Sequence, residues 1–276
     1  MEPHANITSR QRTWVVVLTG IASMMAALDT VVVSTALSTI RVHLHASVGQ
    51  LEWTVNAYNL SFAVLLMTAA ALGDRFGRKR MFAFGLGLFS AASAACALSP
   101  DVGSLIAARA VQGAGAAFIL PLALAILTAA FPPEKRGTAI GMFSAVTGIS
   151  VALGPIIGGA IVHGINWSWI FWVNVPIGLL AIPLVLARLD ESLGKRVALD
   201  IPGVALITAA AFGVVWGLVR GNSAYVPTNR PGDGSDAGAH ETVIKTTVGH
   251  SVPGPAPVSR RASPRHPRAT CNAPRP

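Results

Sequence analysis

Charge is what this sequence has least of. Asp, Glu, Lys and Arg make up 12% of the residues, against about a quarter in a soluble domain. A chain so poor in charge and 52% hydrophobic cannot keep its surface in water, which excludes an ordinary soluble enzyme or binding module. Cysteine is nearly missing too. Cys96 lies in an apolar run and Cys271 near the end, so no disulfide framework is implied. No Walker-type phosphate loop, Ser-centred elbow or His-Glu-x-x-His pattern occurs, which argues against an ATP-driven pump and the common hydrolase layouts. His43 and His45 stand without a carboxylate or cysteine beside them, so neither a metal site nor a cofactor is expected.

What is present instead is apolar sequence in long runs, with a mean hydropathy of +0.57. A spanning helix needs about 20 mostly apolar residues. Seven runs qualify: Trp14–Leu37, Leu51–Leu72, Met81–Leu98, Ser104–Phe131, Thr138–Val162, Trp169–Ala187 and Ile201–Val219. The first follows Arg10 and Arg12 without a short apolar core and a small-residue cleavage site, and is expected to be a retained helix rather than a signal peptide. The implied class is an all-α membrane protein.

The pI of about 10.8 invites a nucleic-acid reading, but the placement of the cations opposes it. They gather in alternate loops. Arg10 and Arg12, the cluster Arg75, Arg78, Lys79 and Arg80, the pair Lys135 and Arg136, and Arg188, Lys195 and Arg196 all fall on one side, and Arg41 stands alone on the other. Cationic loops stay in the cytoplasm. The N-terminus, residues 1–13, is therefore expected to be cytoplasmic, in a multi-pass protein of the cell membrane. All six tryptophans fall near the ends of runs, where their rings suit the lipid–water interface. Residues 14–188 would form the main bundle and residues 189–220 a loop and a seventh helix. From Gly221 on the chain turns rich in Pro, Ser, Thr and Arg and holds no apolar run, so residues 221–276 are expected to be a disordered tail.

Two charges lie well inside the apolar runs, Asp29 in the first and Arg109 in the fourth. Such residues are expensive in lipid and usually face the bundle interior. Counted from the outer ends of their runs they sit roughly 12 Å and 8 Å deep, so they can share a layer. Desolvation favours a neutral carboxyl, while a neighbouring guanidinium favours its charge. A carboxylate held between the two can bind and release protons. A structural ion pair is the alternative. Gln112 shares a face with Arg109, and Gly113 and Gly115 allow a close neighbour there. The fifth run carries Gly154, Pro155, Gly158 and Gly159, small residues beside a bend-inducing proline. These suit either a mobile helix leaning on a partner or an ordinary packing face. Trp53, Asn56 and Tyr58 stand early in the second run, where they would line a polar cavity or anchor the interface.

Gly73-Asp74-Arg75-Phe76-Gly77-Arg78-Lys79-Arg80 reads as a short charged loop between the second and third runs. With the preceding Leu72 it resembles the signature of the major facilitator superfamily, although Ala70 stands where a glycine is usual. Arg109, Gln112, Gly113, Gly115 and Ala117 resemble that family's proton-transfer motif, and Gly154-Pro155-Ile156-Ile157-Gly158-Gly159 its antiporter motif. Leu28-Asp29-Thr30 and Trp169-Ile170-Phe171-Trp172-Val173-Asn174-Val175-Pro176 are similar to segments of drug:proton antiporters of the fourteen-helix EmrB/QacA-like type.

The resemblance implies a six-helix bundle of two inverted three-helix repeats followed by one further helix, and proton-driven export of a lipophilic, often cationic drug. In it Asp29 and Arg109 would couple protons, Asp74 with Arg75, Arg78 and Lys79 would gate the cytoplasmic side, and the fifth helix would seal the interface between bundles. Alternating access needs two bundles, and the resemblance covers one. A truncated exporter that pairs with a second bundle or a second copy is therefore expected. A non-transporting membrane remnant is the rival reading, and a membrane-bound enzyme a third.

Overall fold

The computed structural model describes residues 8–193, together with helical backbone at Gly203, Leu206, Ala209, Ala210 and Gly213. The expected seventh helix falls largely, and the tail after Gly221 wholly, outside the described residues. Within them the chain is helical: α1 Ser9–His43, α2 Val48–Phe76, α3 Arg78–Ala97, α4 Val102–Ala130, α5 Pro133–Gly164, α6 Trp169–Trp172 and α7 Asn174–Arg188. Among the described residues, six spans, counting α6 and α7 as one, are long and apolar enough to cross a membrane.

The helices outrun their apolar stretches. Thr8, Ser47 and Asp101 each cap a helix start, and the residue three positions on returns the bond. These boxes satisfy orphan amides and let a helix begin in polar sequence. Arg10 and Arg12, expected in an N-terminal extension, are therefore in the first turns of α1. The largest correction concerns the charged loop. α2 continues through Asp74, Arg75 and Phe76, and α3 starts at Arg78, so the eight-residue loop reduces to Gly77 alone, at φ 107°. A side chain there would be strained. Hydropathy marks where lipid ends, not where the helix ends. The sixth run is also divided. Pro176 lacks the amide that would continue the ladder, and α6 gives way to α7 around Val173.

α4 is the hub, packed chiefly on α2 and α3, while α1 packs on α5 and α3 on α7. Glycines set these approaches. A Cβ on Gly113 would run into the backbone of Tyr58 in α2, and one on Gly115 would sit 2.6 Å from the Phe89 amide nitrogen in α3. The core falls into two apolar clusters. One includes Leu18, Met25, Phe82, Phe89, Phe118, Leu122 and Ala181. The other includes Val32, Ile40, Leu51, Cys96, Leu105 and Phe171. α1, α2, α3 and α4 each pass from one cluster to the other, as does the span formed by α6 and α7, and at the crossing each presents a polar group: Asp29, Thr54, Ser93, Arg109 with Gln112, and Asn174.

Candidate functional site: a buried polar layer

That crossing is a hydrogen-bonded layer closed above and below by hydrocarbon. Asp29 and Arg109 are 1% and 0% exposed. The Arg109 Nη1 donates to Asp29 Oδ2 at 2.6 Å and to Gln112 Oε1 at 2.8 Å, and its Nε donates to the Thr54 carbonyl at 3.4 Å. The Gln112 amide donates to Asp29 Oδ1 at 2.9 Å and to Ser93 Oγ at 2.8 Å. Asn174 Nδ2 donates to Asp29 Oδ1 at 3.1 Å. The Tyr58 ring lies under the guanidinium, 4.2 Å from its central carbon, and adds a cation–π contact. Buried charges need this degree of pairing, because each unmet bond in a low dielectric is costly.

The expected meeting of Asp29 with Arg109 is thus present in the geometry, and Gln112 and Tyr58 belong to the same layer. Trp53 and Asn56 are half-buried on α2, where the hydrogen bond that reaches the layer is accepted by the Thr54 carbonyl. Ser93 and Asn174 are site members that the sequence reading did not single out. Asn174 had a signal, as the lone amide in its apolar run. Serines are too common in such runs for Ser93 to stand out.

Two glycines of α5, Gly154 and Gly158, pack against α1. A Cβ on Gly154 would lie 2.6 Å from Val31, and one on Gly158 would collide with Thr35, both on α1. That stripe is used inside this bundle. Ile140, Met142, Ile149, Val151, Leu153 and Ile156 are the exposed large hydrophobic residues of α5, and Pro155 is exposed with them. Gly159 has open space around its Cα.

A second polar group gathers where α2 meets α3. Arg78 bonds Asp74 across one helical turn, Nε to Oδ1 at 2.8 Å. Gly77 offers no side chain to cap α3, and the cap comes from far along the chain. Glu191, just past α7, accepts from the Lys79 amide at 2.9 Å and lies 3.6 Å from Arg80. The Arg78 amide donates to the Ser192 carbonyl at 3.1 Å. A carboxylate at a helix N-terminus meets both free amides and the favourable end of the dipole. Arg75 and Lys79 lie at this end as well, Arg75 over the Phe76 ring at 5.6 Å and Lys79 Nζ donating to the Leu186 carbonyl at 3.3 Å.

Residues 19–228 match the family description Major Facilitator Superfamily. The chain belongs to that superfamily. It is 41% identical over 214 residues to the tetracenomycin C resistance and export protein of Streptomyces glaucescens, covering 76% of this chain and 40% of that protein. It is 40% identical over 199 residues to a methylenomycin A resistance protein of Streptomyces coelicolor, covering 72% and 42%. It is 40% identical over 210 residues to the drug efflux pump JefA of Mycobacterium tuberculosis, covering 73% and 41%. The chain therefore spans about two fifths of the length of these relatives. A solved peptide transporter in complex with sulfate shares the fold at TM-score 0.59 and 14% identity, covering 84% of this chain and 49% of its own. A bacterial homologue of the lysosomal transporter Spinster does so at TM-score 0.56 and 20% identity, covering 71% and 47%. The superfamily chain is thus a multi-pass membrane protein of a transporter family.

Proposed function

We propose that this chain supplies the proton-coupling bundle of a drug exporter. Asp29 would take and release the proton, and Arg109 and Gln112 would hold the carboxylate between events. The observation that carries the reading is the charged pair sealed between two apolar clusters, in a chain whose relatives are named for resistance and export. A buried pair is often replaceable by well-packed apolar groups at little cost, which makes a purely structural role a weak reason to keep it. The end of the bundle bearing Arg10, Arg75, Arg78, Lys79, Lys135 and Arg188 would face the cytoplasm, by the cation bias. Asp74 and its neighbouring cations would help close that end. The exposed apolar residues of α5 would lie toward a second bundle or a second copy, because alternating access needs two. The substrate class is a lipophilic, often cationic drug.

Proteoliposomes holding the chain, with and without a separately supplied second half from a relative, would be tested for drug-dependent proton flux. Flux that Asp29→Asn abolishes while the melting profile persists is the expected result. Flux unchanged by Asp29→Asn would overturn the assignment. The span of two fifths of the relatives supports a second reading, a membrane protein that does not transport. No flux in either arm from a folded wild-type chain would favour it.

A further inference from the structure

The layer contains a residue whose position the proton-coupling reading does not explain. Asn174 is the first residue of α7 and 2% exposed. It is brought to Asp29 by an unusually close seam between α7 and α3. Gly178, one turn further along α7, packs so tightly on Ser90 that a Cβ there would collide with the serine hydroxyl. The helices run antiparallel, so Ser93, one turn from Ser90, meets Asn174. The Ser93 hydroxyl donates to the Phe89 carbonyl at 2.8 Å, which turns its lone pairs toward the layer. They accept from Gln112 at 2.8 Å and from Asn174 at 3.5 Å. Asp29 Oδ1 likewise accepts from both amides, at 2.9 Å and 3.1 Å. Two amides from α4 and α7 thus grip one carboxylate oxygen from opposite helices, and Arg109 takes the other oxygen.

We infer that Asn174 is a positioning residue that fixes the orientation of the Asp29 carboxylate and gives α7 a direct hold on it. The three hydrogen bonds that Asp29 receives from Arg109, Gln112 and Asn174 all come from N–H groups. That set complements an ionised carboxylate, whose oxygens only accept. Oδ1 already accepts two of these bonds and Oδ2 one, so an added proton would take the open site on Oδ2, and loss of the charge would weaken all three grips. Gln112 is tied to Arg109 on its own helix. Asn174 is the member through which a change at the carboxylate reaches a different helix, α7. Its far end is engaged too. Lys79 Nζ bonds the Leu186 carbonyl at 3.3 Å, and Arg188 stacks on the Trp14 ring at 5.2 Å. Fifteen residues span about 22 Å, so one helix, with Pro183 inside it, joins the carboxylate to the start of α3.

The positioning claim does not depend on transport, while the consequence for α7 rests on the proton-coupling reading. The full chain in lipid nanodiscs would be compared by infrared difference spectroscopy, wild type minus Asp29→Asn, to isolate the Asp29 carboxylate stretch. Asn174→Ala should shift that band, and Ser90→Ala, on the same seam but outside the hydrogen-bonded set, should leave it in place. A band unmoved by Asn174→Ala would overturn the inference. So would an equal shift from Ser90→Ala, which would make the effect one of packing. Should Asn174→Ala not fold, wild-type chain labelled with 13C at aspartate carboxyls and 15N at asparagine amides serves instead. A dipolar coupling lost in Asp29→Asn is expected, and no such coupling would overturn the contact. None of these readouts needs flux, so a wild-type chain without proton flux would defeat the proposed function and leave this assignment standing.

Discussion

Two of the three ion pairs between described side chains have opposite fates. Arg109 and Asp29 meet at 2.6 Å with side chains 1% and 0% exposed, and Arg78 and Asp74 meet at 2.8 Å with side chains 21% and 45% exposed. The distances are nearly equal. What differs is the solvent. At the helix end, water competes for both partners and salt screens them, so the pair is worth little. In the layer, each group depends on the others. The pair adds little net stability against an apolar replacement, yet losing one half is severe. Contact length is therefore a poor guide to what a pair does, and burial with the completeness of the surrounding hydrogen bonds is a good one.

Mutations can break this contrast in order of size. Arg109→Ala should cost the most, about 3–5 kcal/mol, because Asp29 is left charged and unpaired. Chemical denaturation in detergent would read it. Replacing both partners, Asp29→Leu with Arg109→Met, should recover only part of that loss, because Gln112 and Asn174 still lose their acceptor, and a double variant less stable than Arg109→Ala would show that an unpaired Asp29 is not the main cost. Gly113→Ala should cost about 1–3 kcal/mol by forcing α2 off α4, visible as a lowered melting temperature. Glu191→Ala should cost about 1 kcal/mol through the lost cap on α3, and amide exchange at Lys79 should speed up while exchange mid-helix stays as it was. Asp74→Ala should fall within about 0.5 kcal/mol, and the difference should vanish in high salt.

The smallest effect belongs to Asp101, the exposed cap of α4. The amide of Ser104 donates to its carboxylate and holds the carboxyl below its ordinary range. A depressed value means that the cap contributes above the ordinary carboxyl range and is lost as pH falls through the lowered value. The gap between wild type and Asp101→Ala should therefore narrow on acidification, as followed by thermal melts across a pH series.

Much of the fold was legible because lipid imposes a simple rule: apolar runs of sufficient length become helices. The pairing of Asp29 with Arg109 was legible for a similar reason, as two charges in hydrocarbon need each other. The helix ends were not. Asp74, Arg75 and Phe76 read as loop because an apolar run ends before them, whereas a helix can extend into polar sequence, as α1 does behind its Thr8 and Gln11 cap. Ser93 and Glu191 were hidden because their roles exist only once distant segments meet. Glu191 lies 112 residues from the amide it caps, and no local spacing announces such a contact. The packing direction of Gly154 and Gly158 was equally silent, since a small-residue stripe shows that something comes close and not which helix it is.

The layer also has a history in time. Arg109 follows Asp29 by 80 residues. At about 5–20 residues per second, a chain under synthesis exposes the aspartate for about 4–16 s before its arginine has even been made. A lone carboxylate near the middle of a spanning helix costs a few kcal/mol on insertion scales. During that interval α1 is a poorly anchored helix, held by its apolar flanks and by whatever donors the insertion machinery or passing water provides. Completion of α4 ends the interval. The layer therefore cannot close around Asp29 until the fourth helix has been made.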